Sequence, residues 1–167
     1  MSTSKILIVE DDPVFRRVLS FTVAKAGLTV ETAIHGEQGF ERLMRGGIDF
    51  LVTDLQMPIC SGIELLDRLE QVQGYNRPST ILCTAKGLEI DCDVLIDQYN
   101  LSAIMHKPFS PRKLSEVILQ TMRDEQRNAT AEQSTGNDSS TVSTPIVALT
   151  TQSATSNPPM AGSEGNA

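Results

Sequence analysis

Residues 51–58 read LVTDLQMP, and they contain the feature from which the fold can be worked out. An apolar stretch that starts at Phe50 ends on the carboxylate of Asp54, and Met57-Pro58 follow. A short, fully apolar run is typical of a strand in a parallel sheet that is covered on both faces. The acid then marks the point where the strand leaves the sheet, and the question is which other side chains reach the same edge.

Similar apolar runs recur along the chain and alternate with helical patterns. The helical segments carry apolar residues at spacings of three and four, and Asp12-Pro13 is a good start for the first of them. This alternation predicts an α/β fold of the (βα)₅ type, a doubly wound parallel sheet with right-handed crossovers. The five strands are predicted at residues 5–9, 28–32, 50–54, 79–83 and 101–105.

The carboxyl ends of the predicted strands carry reactive groups. The first strand is followed by Glu10 and Asp11, the third ends on Asp54, the fourth is followed by Thr84, and the fifth is followed shortly by Lys107. In doubly wound sheets the ligand site lies at this edge, so we expect these side chains to converge in one crevice.

A carboxylate cluster with a hydroxyl and an ammonium group favours a divalent cation and a phosphoryl group. Mg²⁺ prefers oxygen ligands, and we expect Asp11, Asp54 and the backbone carbonyl of Gln56 to bind it directly and Glu10 to act through water. Asp54 is the best candidate for a nucleophile that forms an aspartyl-phosphate. Lys107 and Thr84 are then expected to contact the phosphoryl oxygens.

Four segments in register also resemble the receiver domain of two-component response regulators, the CheY-like family. They are ILIVEDD at 6–12, VTDLQMP at 52–58, CTA at 83–85 and KPF at 107–109. The resemblance covers about residues 5–123 and implies the flavodoxin-like strand order 2-1-3-4-5. It also implies a phosphoacceptor at Asp54, a Mg²⁺ site at Glu10, Asp11 and Asp54, a switch hydroxyl at Thr84, and a phosphate-sensing Lys107 before a cis peptide bond to Pro108.

Three positions set this chain apart from that family's usual pattern. Ile104 stands where these domains often have a Tyr or Phe that moves inward on phosphorylation, so the usual aromatic switch is in question. Gln56 and Lys86 flank the path of the hydrolytic water in the family and supply no evident base. We therefore expect slow to moderate self-dephosphorylation.

Composition divides the chain near residue 128. We predict a receiver domain over residues 1–127 and a disordered Ser/Thr-rich tail over residues 128–167, because this segment lacks Lys, Arg and aromatic residues and has few apolar ones. We expect no output domain there. A formal charge of −7 without a basic block argues against direct binding to nucleic acid or to a membrane surface. Three cysteines without metal-ligand spacing, and the lack of a signal peptide or long apolar run, favour the cytoplasm.

The predicted function is a phosphoacceptor in two-component signalling, with a histidine kinase or histidine phosphotransfer protein as donor and an unidentified downstream protein as target. On this hypothesis the chain is not a turnover enzyme and only catalyses its own phosphorylation and dephosphorylation. The first alternative is a degenerate receiver that acts as a constitutive interaction module, which Ile104 suggests. The second is an aspartate-nucleophile phosphatase, but Gln56 cannot serve as the general acid that such an enzyme needs two residues after its nucleophile.

Overall fold

The computed structural model describes residues 4–85 and 91–134. Within them, strands and helices alternate as the sequence predicts, and the (βα)₅ prediction is confirmed. In chain order they are β1 Lys5–Val9, α1 Pro13–Lys25, β2 Thr29–Ala33, α2 Gly36–Met44, β3 Phe50–Asp54, α3 Gly62–Glu70, β4 Ser79–Ala85, α4 Cys92–Tyr99, β5 Ala103–Lys107 and α5 Pro111–Ser134.

The five strands form one parallel sheet in the order β2-β1-β3-β4-β5, as the resemblance implied. The chain crosses from β1 outward to β2 and then back past β1 to β3, so the order reverses between β1 and β3. Loops that leave these two strands diverge there, which opens a crevice above their carboxyl ends. Glu10, Asp11 and Asp54 stand at that position.

Successive residues of each strand pack on opposite faces of the sheet, which divides the core into two layers. On one face Ile6, Ile8 and Val52 pack with apolar residues of α1 and α5. On the other face Leu7 and Leu51 pack with apolar residues of α2, α3 and α4. Every residue of β3 is buried, which fixes the central strand and the acid at its end.

Local sequence signals explain how the helices nearest the crevice begin. Asp12 caps α1, since its side chain accepts a hydrogen bond from the Phe15 backbone N–H at 2.6 Å, and Pro13 occupies the first turn. Ser61 and Glu64 form a reciprocal capping box at the start of α3. Both helices are thereby anchored directly behind the acids of β1 and β3.

The last two predicted boundaries need correction. The fifth strand runs from Ala103 to Lys107 rather than over residues 101–105, because Leu101 belongs to the turn that ends α4: its N–H bonds to the Ile96 carbonyl at 3.0 Å. Helix α5 continues to Ser134, so residues 128–134 are helical and the tail predicted from residue 128 begins too early. The rest of that predicted tail lies outside the described residues, as does Lys86.

No helix in the described part of the chain is both long enough and apolar enough to cross a membrane.

Candidate phosphoacceptor site

Three carboxylates meet at the carboxyl ends of β1 and β3. One side-chain oxygen each from Glu10, Asp11 and Asp54 lies within 4.8 Å of the others. Glu10 and Asp54 are buried, whereas Asp11 is exposed at the mouth of the crevice. Among residues 4–85 and 91–134, this is the one group of three or more potential metal ligands.

Lys107 sits between the two buried acids. Its Nζ lies 2.8 Å from Glu10 Oε2 and 2.7 Å from Asp54 Oδ2, and both distances are those of charge-assisted hydrogen bonds. The ammonium also lies 5.0 Å from the centre of the Phe15 ring, which borders the crevice and contacts Phe109. Lys107 ends β5 and is joined to Pro108 by the expected cis peptide bond.

The electrostatics of the site reflect this crowding. Burial raises the pKa of Glu10, and the nearby Asp54 charge adds to that effect, while the hydrogen bond from Lys107 opposes it without cancelling it. For Lys107, burial lowers the pKa, but the hydrogen bonds to Asp54 and Glu10 outweigh burial and the pKa rises. One ammonium group thus only partly offsets two buried carboxylates, which leaves the site attractive to a further cation.

Backbone contacts fix the position of Asp54. The N–H of the next residue, Leu55, donates to the Cys83 carbonyl of β4 at 2.7 Å. Gly62 then packs so closely that a Cβ there would lie 2.2 Å from the Asp54 carbonyl oxygen. The start of α3 therefore rests against the end of β3, and a glycine is needed for that contact.

Arg16 holds the loop after β1 and was not predicted from the sequence. Its guanidinium Nη1 donates to the Glu10 carbonyl at 2.7 Å and to the Asp11 carbonyl at 3.1 Å. The loop carbonyls are satisfied in this way, and the two acidic side chains are left free to face the crevice. The sequence contains one signal for this role: Arg16 lies four residues after the Asp12 cap, in a helix that begins beside the two acids. Phe15, the residue before Arg16, was likewise not predicted to lie at the site.

The remaining predicted site residues differ in how closely they join this cluster. Thr84 is buried near the end of β4, and its hydroxyl makes a weak 3.5 Å contact with the Ala85 carbonyl, so it is available to another acceptor. Gln56 is exposed in the loop after Asp54, and its role as a carbonyl ligand stays a prediction. Ile104 is half-buried on β5 and packs against the core layer under α4.

The donor set fits Mg²⁺. All three potential ligands are carboxylates, which suit a hard cation, and none is a thiolate or imidazole that would favour a softer one. Asp11, exposed at the mouth, leaves room for the water molecules that Mg²⁺ usually retains.

Residues 6–119 match the family model described as the response regulator receiver domain. The chain belongs to this family. Receiver domains act in phosphorelay signalling, typically bind Mg²⁺ at an acidic pocket, and interact with histidine kinases or phosphotransfer proteins and with downstream effectors.

Relatives of this receiver occur in proteins of several architectures. It is 30% identical over 115 residues to the probable transcriptional regulator ycf29 of Porphyra purpurea, covering 68% of this chain and 54% of the relative. It is 32% identical over 146 residues to the transcriptional regulatory protein CpxR of Escherichia coli K12, a match that covers 87% of this chain and 60% of CpxR. It is 31% identical over 117 residues to the hybrid signal transduction histidine kinase D of Dictyostelium discoideum, a match that covers 70% of this chain and 7% of the kinase. The chain thus spans about half of the ycf29 protein and a small part of the kinase.

Solved structures of receivers have the same fold. A CheY-like receiver from Methanospirillum hungatei JF-1 superposes with a TM-score of 0.67 at 23% identity, covering 76% of this chain and 99% of that one. The chemotaxis response regulator CheY4 of Vibrio cholerae gives a TM-score of 0.61 at 23% identity, with 74% and 98% covered.

Proposed function

We propose that this receiver accepts a phosphoryl group on Asp54 from a phosphohistidine of a histidine kinase or histidine phosphotransfer protein, and that phosphorylation changes its affinity for a downstream protein. The observation that supports this most directly is the Asp54 carboxylate at the end of the central strand, with the Lys107 ammonium at 2.7 Å and two further acids within 4.8 Å. A cytoplasmic location is part of the proposal, as is Mg²⁺ at Glu10, Asp11, Asp54 and the Gln56 carbonyl.

The two oxygens of Asp54 are expected to have different roles. Lys107 holds Oδ2, whereas Oδ1 accepts no hydrogen bond from the described residues. Oδ1 attacks the phosphorus of the phosphohistidine, the P–N bond breaks, and its electron pair returns to the donor imidazole. Bound Mg²⁺ supplies positive charge that offsets the charge on the phosphoryl oxygens.

Lys107 and Thr84 then hold the product. The Lys107 ammonium, already placed between Asp54 and Glu10, can shift to a phosphoryl oxygen by a small rotation of its side chain. The Thr84 hydroxyl, which has only a weak backbone contact, donates a hydrogen bond to another oxygen. Thr84 lies on β4 and Lys107 on β5, the two strands that α4 connects, so we expect phosphorylation to change this face of the domain.

Phosphorylation with a small phosphodonor tests the acceptor. We expect the full chain incubated with acetyl phosphate and Mg²⁺ to gain the mass of one phosphoryl group, and Asp54→Asn to gain none. Asp49→Asn, at an acid outside the crevice, is the matched control and should gain the same mass as wild type. No mass gain in wild type would overturn the proposal.

The fate of the phosphoryl group distinguishes a receiver from an enzyme that turns over. Gln56 offers no base or acid beside the acceptor, so we expect the label to persist well beyond seconds without a partner. Release within seconds, or steady turnover of a phosphomonoester, would contradict this part of the proposal. Profiling against a panel of histidine kinases then identifies the donor.

A constitutive interaction module is the second candidate, and the packing of Ile104 is the observation that favours it. Ile104 fills its position with an aliphatic chain packed against the core, and it has no aromatic ring that could move inward on phosphorylation. On this alternative the target binds equally well whether or not Asp54 carries a phosphoryl group. Affinity for a captured partner with and without phosphorylation separates the two candidates.

A further inference from the structure

Cys92 and His106 form a second cluster of metal-ligating side chains, outside the acidic crevice. Cys92 is the first residue of α4 and is half-buried, and His106 is exposed on β5 beside Lys107. Cys92 Sγ lies 3.7 Å from His106 Nε2. The function proposed for Asp54 uses neither side chain, so this pairing needs its own explanation.

The separation of the two atoms suits a shared metal ion. Zn²⁺ binds a thiolate sulfur at about 2.3 Å and an imidazole nitrogen at about 2.0–2.1 Å, usually with tetrahedral angles. Those lengths place the sulfur and the nitrogen roughly 3.5 Å apart around one ion. The observed 3.7 Å therefore needs only a small adjustment.

A reactive thiol is a poorer explanation of the pair. Cys92 is half-buried and lies between the exposed carboxylates of Asp91 and Asp93, which disfavour a free thiolate. A zinc ion displaces the thiol proton directly. The same two acids, both exposed beside the pair, make the surface favourable for a cation.

One chain supplies too few ligands for a stable tetrahedral site. Within residues 4–85 and 91–134, no third histidine, cysteine or carboxylate is arranged with Cys92 and His106. Structural zinc sites almost always have four protein ligands. A two-fold symmetric pair of chains brings the same two residues from each side, because each partner in such a dimer presents the same patch.

We propose that Cys92 and His106 bind Zn²⁺, or a metal ion of the same class, together with the same two residues of a second copy of this chain. The site joins the start of α4 to β5.

Cobalt and zinc titrations of the full chain test the site, with Mg²⁺ in excess so that the acidic crevice is occupied. We expect Co²⁺ to produce a near-ultraviolet thiolate charge-transfer band, and Zn²⁺ to bind at one ion per two chains with a doubling of mass in sedimentation that a chelator reverses. Cys92→Ser should abolish the band, and His106→Asn should weaken binding at least about tenfold.

Matched variants elsewhere identify the ligands. Cys60→Ser and His35→Asn change the same residue types away from the pair, and His35→Asn keeps a side chain that can cap α2. Both should behave like wild type in the metal titrations, and Cys92→Ser should still gain the mass of one phosphoryl group from acetyl phosphate, so that loss of phosphorylation and loss of metal binding are separable. A band that persists in Cys92→Ser, or one ion per chain without a change in mass, would overturn the proposal.

Discussion

At the scale of single residues, Glu10 shows the energetic consequence of burying two carboxylates beside one ammonium group. Its pKa lies above the ordinary value of 4.5 because burial outweighs the hydrogen bond from Lys107. Its contribution to stability is therefore fully present below pH 4.5 and is lost as the pH rises through the folded-state pKa. Ionised Glu10 opposes folding at neutral pH when no metal is bound.

Glu10→Gln should consequently stabilise the metal-free protein at pH 7. We expect the free energy of unfolding in urea with chelator to exceed that of wild type at pH 7, and the difference to vanish near pH 4, where Glu10 is protonated in both states. The same variant should bind Mg²⁺ more weakly by calorimetry. Glu41→Gln, at an exposed acid, is the control. A Glu10→Gln protein less stable than wild type at pH 7 would refute this account of the pKa.

Lys107→Met tests how much the ammonium group between Glu10 and Asp54 contributes to stability. The change leaves Glu10 and Asp54 facing each other without a cation, and breaking a fully buried pair costs about 3–5 kcal/mol. Because a quarter of the Lys107 side chain is exposed, we expect a loss of about 1–3 kcal/mol at pH 7 without metal. Adding Glu10→Gln should recover part of it. If Lys107→Met loses no more stability in urea than Lys113→Met on the surface, the pairing contributes little.

At the scale of elements, the start of α3 positions Asp54, the proposed phosphoacceptor. Gly62→Ala places a Cβ against the Asp54 carbonyl, so β3 or α3 must shift. We expect a loss of about 1–3 kcal/mol in urea unfolding and slower phosphorylation of the folded protein by acetyl phosphate. Ser61→Ala is the neighbouring control: it removes the cap, for about 1 kcal/mol, without crowding Asp54. Equal phosphorylation rates in both variants would argue against this positioning role.

Helix α1 offers an apolar stripe for the proposed donor protein. Val14, Val18 and Phe21 are exposed at helical spacing on a helix that begins directly after the acids of β1. Val14→Ser combined with Phe21→Ser should slow phosphotransfer from a kinase found in the panel, while acetyl phosphate still labels Asp54 at the wild-type rate. Val94→Ser, at an exposed apolar residue of α4, is the control. Unchanged transfer from the kinase would exclude the stripe as part of the donor interface.

The sequence predicts these elements well where local chemistry specifies them, and fails where tertiary contacts do. The apolar run at residues 5–9 and the Asp12-Pro13 start became β1 and α1 as predicted, because each pattern has one satisfactory structure. Leu101 is different: it is as apolar as a strand residue, yet Asn100 adopts a left-handed conformation (φ 44°) and ends α4 just before it. Periodicity alone does not separate a buried turn residue from the first residue of a strand.

The candidate site was predicted in the same uneven way. Its acids and Lys107 follow from the rule that parallel strands end at one edge, which needs only sequence order. Arg16 and Phe15 lie on a helix, and their reach into the crevice depends on how the loop after β1 turns. No spacing rule specifies that turn, so the positions of these two side chains at the site follow from the three-dimensional structure and not from the sequence.

At the scale of the whole molecule, the contacts that hold α5 to the sheet and to α1 extend only part of the way along the described helix. Leu114 and Ile118 are fully buried against α1 and the sheet, and Met122 packs against the same layer. Glu125 accepts a hydrogen bond from Ser79 at the start of β4. Contacts that hold the helix to the domain are thus found up to residue 125, beyond the family match, whereas residues 126–130 are exposed.

Truncation at three points should reveal this limit. A chain ending at residue 127 should match one ending at residue 134 within about 0.5 kcal/mol in urea unfolding, because the side chains at 128–130 are exposed. A chain ending at residue 119 should lose about 1–3 kcal/mol, because removing Met122 uncovers apolar surface and Ser79 loses its partner. The chain ending at residue 127 could instead be less stable than the chain ending at residue 134 by more than about 1 kcal/mol. In that case the last turns of α5 contribute to the fold through contacts other than burial of their side chains. That result would move the boundary of the receiver from the residues that pack on the sheet to the end of the helix itself.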